Sequence, residues 1–153
     1  MMRFLRSLRR DERGASIIEM ALITPVLASL LIGMVDISRA YAARLQLEQA
    51  AQRAIEKVMQ YQANSSTYAT LYLEAAAAAN VPVTQVTVDY WLECNGVRAE
   101  IYEISCTTGQ TYARYVTVSI DKAFTPMFGT RYFPGANDDG SYTLTGEAGL
   151  RTQ

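Results

Sequence analysis

The sequence contains no histidine. Imidazole is the usual base of Ser-His-Asp and Cys-His nucleophilic sites and a common zinc ligand, so its absence removes those chemistries together. Neither a glycine-rich phosphate loop nor a convergent carboxylate pair is visible. No catalytic residue, cofactor or metal is therefore expected, and the chain reads as non-enzymatic. Asn137-Asp138-Asp139-Gly140 offers oxygens, but it lacks the alternating ligands and terminal glutamate of a calcium loop and is expected to be a polar turn. Positive charge is scarce where a nucleic acid would need it. Arg3, Arg6, Arg9, Arg10 and Arg13 are five of the fourteen basic residues. A cut after Gly14 would leave nine basic against thirteen acidic residues, a net charge of −4. With the basic residues crowded into the leader, no nucleic-acid partner is expected.

Charge of either sign is missing from Met20–Val35, and this gap becomes the strongest positive signal. Ala15–Val35 is broken chiefly by Glu19, Thr24 and Pro25. About twenty predominantly apolar residues suffice to cross a hydrocarbon core about 30 Å thick, so this stretch predicts a membrane-spanning helix in contact with lipid. The arginines before it would hold the N-terminus in the cytoplasm and send everything after Asp36 across. Glu19 is the anomaly. An ionisable side chain inside such a segment costs about 2.5–3.5 kcal/mol on insertion scales, which points to a functional role. The plainer alternative is that Glu19 snorkels to the headgroups near the cytoplasmic end. Pro25 removes one helical N–H and predicts a kink that the Thr24 hydroxyl would help to re-satisfy. That kink is either a simple bend or part of an assembly surface.

An ordinary secretory signal peptide is a rival reading, with Ala40-Tyr41-Ala42 as a small-x-small cleavage site. Against it, the apolar run exceeds the usual h-region of about 7–15 residues, and it carries a glutamate at its start. Helical periodicity also runs straight through the proposed cut. Small and apolar residues recur at Ala40, Ala43, Leu47, Ala51, Ala54 and Val58, while Glu48, Gln49, Gln52, Arg53, Glu56 and Lys57 hold the opposite side. One helix from Ala15 to Gln62 would be about 72 Å long at ~1.5 Å per residue. Its second half reads as an amphipathic stalk, with the alanine-rich stripe serving either an intramolecular core or a seam between subunits.

The length of 153 residues leaves room for one modest domain beyond this anchor. After a polar break at Asn64-Ser65-Ser66, a second helix is expected from Thr67 to Ala79, capped by a serine and ended by Asn80 and Pro82. The remainder reads as sheet: a strand through Val83, Val86, Val88, Tyr90 and Leu92, a short one at Val97–Ile104, a long one at Thr111–Phe124, and a last one at Ser141–Leu150 weakened by Gly146 and Gly149. Pro126–Gly140 reads as loop. The fold class is therefore α+β, a long N-terminal helix packed on a small antiparallel sheet. Cys94 and Cys106 lie beyond the membrane on this topology, where an oxidising periplasm favours a disulfide. Two buried free thiols are the alternative. Asn95-Gly96 is at the same time a strong two-residue hairpin signal. A hairpin there would put Cys94 opposite Val97 and Cys106 far down the ladder, so the two signals are expected to conflict, with the disulfide preferred.

Taken together, Arg13-Gly14-Ala15-Ser16, Glu19, Ala21-Leu22, Pro25 and Gly33-Met34-Val35-Asp36-Ile37-Ser38-Arg39 resemble a TadE-like pseudopilin of tight adherence (Flp-type, type IVb-related) pilus systems. The likeness is close from Arg13 to about Arg44. It continues more weakly through Cys94, Cys106, Tyr115-Val116-Thr117-Val118 and Thr125-Pro126-Met127-Phe128. The resemblance implies that a prepilin peptidase cuts between Gly14 and Ala15, with Gly14 and Glu19 matching its recognition motif. It further implies that Glu19 pairs with the new Ala15 amine of a neighbouring subunit, with other pilins or pseudopilins and the inner-membrane pilus assembly platform as partners. The organisation that follows is a basic leader at 1–14, a transmembrane helix at 15–35, an amphipathic stalk at 36–62 and a periplasmic α+β domain at 63–153. Two functions fit: a minor pilin or pseudopilin of the pilus, and a membrane-anchored periplasmic binding or scaffold domain that never enters a fibre. Only the first requires loss of the first fourteen residues.

Overall fold

The computed structural model describes residues 12–60, 65–127 and 134–152. Most of the leader, Asn64 of the expected polar break, and residues 128–133 of the expected loop lie outside these residues, as do the side chains that would cap the second helix. The chain divides into two compact units, Met1–Ser38 and Arg39–Gln153. Helix α1 runs from Glu12 to Gln60 and α2 from Ser65 to Ala79. A 3-10 turn at Val83–Gln85 leads into β1 (Val86–Cys94), followed by β2 (Val97–Arg98), β3 (Tyr112–Phe124) and β4 (Tyr142–Arg151). The fold is α+β, with the strands in the order β2-β1-β3-β4 and every neighbouring pair antiparallel.

In the second unit, the expected stripe of α1 forms intramolecular core from Leu47 onward, while Ala40 and Ala43 are half-buried and lie outside the core cluster. Leu47, Ala51, Ala54 and Val58 are buried together with Ala50 and Ile55. They share one cluster with Tyr68, Leu71 and Ala75 of α2 and with Val116, Val118 and Ile120 of β3. Strand alternation sends Val86, Val88, Tyr90 and Leu92 of β1 to the same side. On β4, Leu144, Ala148 and Leu150 complete that face, with Gly146 between them. Gly146, which the sequence presents as a weakness of the strand, is where α1 comes closest. A Cβ at this position would fall on the Leu47 Cβ and 2.5 Å from the Glu48 nitrogen. The strand gives up some propensity so that a helix backbone can approach it. Lys57 and Glu74 form an ion pair across the two helices at the half-exposed edge of the core.

Helix α2 ends as Asn80 and Pro82 predict. Asn80 adopts φ 53°, its N–H reaches the Ala77 carbonyl at 3.3 Å, and the Val81 N–H reaches the Ala76 carbonyl at 3.0 Å. This is a Schellman closure with asparagine in the left-handed position.

The expected third strand is much shorter than Val97–Ile104. It holds only Val97 and Arg98, after which the Ala99 N–H bonds the Leu92 carbonyl at 2.7 Å and the chain turns irregular. The expected conflict between disulfide and hairpin does not occur. Asn95 and Gly96 take φ values of 52° and 79°, those of a tight primed turn, and Cys94 pairs with Val97. Cys94 and Cys106 are nonetheless bonded, with Cα atoms 5.6 Å apart. The two devices coexist because hydrogen bonding lies in the plane of the sheet while side chains stand perpendicular to it. Cys94 therefore keeps Val97 and Tyr112 as lateral partners and meets Cys106 on the sheet face, where the segment before β3 crosses back. Asn95 also ties this loop at its base, accepting the Thr111 N–H at 2.9 Å on its side chain and donating its own N–H to the Thr111 carbonyl at 2.8 Å. A loop of this size contributes about 3 kcal/mol in the chain-entropy model of a disulfide.

Gly146→Ala is expected to destabilise the second unit by about 1–3 kcal/mol, because helix and strand backbones must separate to admit the methyl group. Denaturant unfolding followed by the fluorescence of Trp91 measures it. An unchanged midpoint would show that the helix does not press on β4 at this point.

Candidate functional site

The apolar part of α1 carries the residues singled out in the sequence. From Ser16 to Leu31 every residue is exposed, and the large apolar side chains are distributed around the whole helix. Ile17 is 71 % exposed, Leu22 70 % and Leu30 64 %. A helix in water shows one apolar stripe and covers it; one that is apolar on all sides is matched to a surrounding of hydrocarbon. By length and composition, the helix is able to cross a membrane.

Its polar groups are handled accordingly. The Thr24 hydroxyl donates to the Met20 carbonyl at 2.6 Å, Ser29 to Val26 at 2.8 Å, and Ser38 to Met34 at 2.9 Å. Each hydroxyl is satisfied by its own helix, which lowers the cost of placing it in lipid. Pro25 lies inside the helix, which continues past it. The carbonyl deprived of its donor by Pro25 belongs to Ala21, four residues earlier. Thr24 bonds the carbonyl of Met20 instead, so its hydroxyl secures itself and does not replace the missing backbone bond.

Gly14, Ala15, Glu19 and Pro25 thus fall on one continuous helical run. The backbone at Gly14 and Ala15 is helical and belongs to the first turn of α1. Glu19 is exposed in the middle of apolar neighbours. One turn away on its own helix stand Ala15, Ser16, Leu22 and Ile23, none of them a cation.

Cys94 and Cys106 are in the other unit and belong to a different structural setting. A cavity of 380 Å³ beside their disulfide is lined by Leu92, Ile104, Tyr112 and Arg114, among others. No cluster of three or more His, Cys, Asp or Glu side chains able to hold a metal occurs among the described residues. Asn137–Ser141 closes on itself as a turn. The Asp139 carboxylate accepts the Ser141 N–H at 2.9 Å, and the Gly140 N–H donates to the Asn137 carbonyl at 2.8 Å. Hydrogen bonds from Ser141 hold the Asp139 carboxyl below the usual carboxylate range.

Two aromatic groupings escaped the sequence reading. On the face away from the helices, Trp91 and Tyr115 stack across β1 and β3 with centroids 5.2 Å apart, and Arg98 lies over the Trp91 ring at 4.9 Å. Arg98 also makes two bonds to Asp89, at 2.7 and 2.9 Å, which hold its guanidinium protonated. The signal for this ladder is the strand register, which pairs Trp91 with Tyr115 and Glu93 with Arg98. On the core side, Tyr68 and Tyr90 stack at 5.1 Å, and Tyr102 meets both edge-on. The Tyr102 hydroxyl donates to that of Tyr68 at 3.0 Å. Desolvation, reinforced by this bond, raises the Tyr102 pKa well above the ordinary phenol value.

Comparison with known proteins bears on the helix. Residues 14–55 match the family model described as TadE-like protein. No curated protein and no solved structure matches the chain. The TadE-like resemblance read from the sequence is thereby shown over a segment that includes Gly14, Ala15, Glu19 and Pro25, and it points to involvement in tight adherence pilus systems.

The folded chain binds the Tyr102 proton more tightly than the unfolded chain, so this group's contribution to stability is complete below about pH 10 and is lost as pH rises beyond it. A spectrophotometric titration of the tyrosines should show one phenol resisting ionisation until the domain unfolds. The late step should vanish in Tyr102→Phe. Its persistence there would assign the resistance to another tyrosine.

Proposed function

Taking residues 14–55 as a TadE-like segment, we propose that the chain is a non-enzymatic pseudopilin or minor pilin needed for assembly of a tight adherence pilus. The observation that carries this reading is an exposed carboxylate, Glu19, at the start of the otherwise uncharged apolar run of α1, five residues past Gly14. A plain membrane anchor has no use for that charge. An assembly signal does, because a buried carboxylate selects a partner that brings it a compensating cation.

The proposed sequence of events has two steps. The leader arginines keep the N-terminus in the cytoplasm while the following domain crosses to the periplasm. A prepilin peptidase then opens the first turn of α1 and cuts between Gly14 and Ala15, where glycine places no Cβ against the scissile backbone. The cut removes five arginines and leaves a positive amine on Ala15. In the growing assembly, Glu19 of one subunit pairs with the Ala15 amine of the next. Desolvation consumes much of the Coulomb gain of such a pair, so it sets register more than it adds affinity. Other pilins and the inner-membrane assembly platform are the partners on this reading.

Co-expression with the cognate prepilin peptidase should yield protein that begins at Ala15, and Gly14→Val should abolish the cut. Intact mass spectrometry decides this. A mature protein beginning at Ala43 would mean a secretory signal peptide and end the pilin reading, while an uncut chain would favour an anchored periplasmic domain outside any fibre.

Glu19→Gln separates assembly from insertion. The amide lowers the cost of the segment in lipid, so the variant should still enter the membrane. Crosslinking to pilus components and piliation should both fall, because the Ala15 amine loses its counter-charge. Glu19→Asp should recover little, since the carboxylate is drawn back from a partner that needs contact near ~2.8 Å. Normal piliation by Glu19→Gln would reduce Glu19 to a snorkelling residue.

A further inference from the structure

Strand β4 is an edge of the sheet: among the described residues its one sheet neighbour is β3. It is 10 residues long, pairs in unbroken register and contains neither proline nor lysine. Bulges, prolines and lysines are the usual devices that keep an exposed edge from accepting another strand. The Thr152 N–H donates to the Arg114 carbonyl at 2.8 Å, so the even-numbered residues of β4 turn their backbone groups toward β3. The odd-numbered ones turn theirs to the outer edge, and Glu147, Gly149 and Arg151 are all exposed. Glu147 and Arg151 are the charges of this strand, placed symmetrically about Gly149 and on the face away from the helices.

We propose that β4 pairs antiparallel with β4 of a second copy of this chain, about a two-fold axis through Gly149. Centring the pair there is the register that sets each Glu147 directly opposite Arg151 of the other copy, so both charges meet their complement across the strands. Centring on Glu147 would oppose it to itself. Gly149 meets its own copy on the axis and exchanges both backbone bonds with it, with no side chain between them. On the inner face the same register places half-buried Ala148 opposite Leu150 of the other copy, which extends the apolar face of the sheet. The helices leave room for this. Two helices about 10 Å across cover four strands spaced about 4.8 Å apart. Here α2 lies over β1 and β3 while α1 meets β4 at Gly146, so four further strands carry two further helices on the same side. The pairing involves the second unit alone and stands whether or not α1 crosses a membrane.

The test uses the full chain in detergent micelles over a series of protein-to-detergent ratios. Cys94 and Cys106 are bonded to each other, which leaves an added thiol alone open to oxidation. Gly149→Cys lies on the proposed axis, where the Cα atoms of a hydrogen-bonded pair stand about 5.5 Å apart, within reach of a disulfide. A Cβ there would meet the Thr117 Cγ2 at 3.0 Å, so Thr117→Ser accompanies it. Thr145→Cys is the register control, since its two copies would lie about 27 Å apart. Oxidation should give covalent dimer through position 149 and none through 145. Adding Glu147→Arg makes both charge pairs repulsive and should weaken association about tenfold, and adding Arg151→Glu to that variant should restore it. Dimer through both thiols alike would mean random encounter, and dimer through 145 alone another register; either overturns the proposal, as does a yield that Glu147→Arg leaves unchanged. Hydrogen exchange of the unmutated chain, resolved by residue with NMR, tests the same pairing without variants. The N–H groups of Glu147 and Gly149 should slow as the protein-to-detergent ratio rises, while those of Ala148 and Leu150, bonded to β3, are slow throughout. Fast exchange at 147 and 149 at every ratio would overturn the proposal.

Discussion

On the membrane-spanning reading, one helix has to satisfy two solvents, and the arrangement of its side chains follows from that constraint. Up to Val35 large apolar side chains lie on every side, with Glu19 the exception, and the Thr24 and Ser29 hydroxyls are bonded to carbonyls of the same helix. After Arg39 it is amphipathic, with Leu47, Ala51, Ala54 and Val58 buried and Arg53, Glu56 and Lys57 exposed. Neither half would be stable in the environment of the other. The first half would aggregate in water, and the second would carry unpaired charges into lipid. The transition between them falls within about two and a half turns, where Asp36, Arg39 and Arg44 introduce charge.

The amphipathic half pairs small residues with small residues. Ala50, Ala51 and Ala54 keep that side of α1 narrow, and Gly146 leaves out a Cβ that would hold β4 away from Leu47. A close helix needs a sheet face without bulk at the point of contact, and bulk elsewhere to fill the space beside it. Val116, Val118, Ile120 and Tyr68 provide that bulk and are all fully enclosed. The glycine thus has meaning only in the presence of the alanine stripe. This explains why a strand read by propensity looks weakest where the packing is tightest.

Much of this was legible in the sequence because it depends on periodicity and local stereochemistry. The helix through Val58, the core stripe, the helix stop at Asn80 and the long strand from Tyr112 to Phe124 all follow from spacing or from single residues with restricted backbone freedom. What was not legible depends on a third dimension. The disulfide and the Asn95-Gly96 turn look incompatible along a line, yet one acts perpendicular to the sheet and the other within its plane. Arg98, the last residue of β2, is held by Asp89 and the Trp91 ring, and the Ala99 N–H still bonds the Leu92 carbonyl before the chain turns irregular. None of these partners is adjacent in sequence. At the candidate site the positions of Gly14, Glu19 and Pro25 were readable from their spacing, but the acceptor of the Thr24 hydroxyl was not. It bonds Met20, since helix geometry brings the side chain back over that carbonyl.

On the proposed reading, the value of Glu19 changes with the covalent state of the chain. Before cleavage, five arginines lie in the leader and no cation stands one helical turn from the carboxylate, whose neighbours there are Ala15, Ser16, Leu22 and Ile23. The leader then sets topology, and Glu19 is a burden on insertion that lies near the end of the span, where the burden is smallest. After cleavage the strongest source of positive charge is gone from the cytoplasmic side, and an amine has appeared four residues from the carboxylate. Glu19 and the Ala15 amine of one chain lie about one turn apart on the same helix, so satisfying both within a subunit competes with satisfying them between subunits. Staggered packing resolves that competition in favour of the neighbour only when the helices are in register. A charge that lowers the stability of the isolated subunit in lipid therefore becomes a condition on how subunits align, which is the work a charged residue does best where water is excluded.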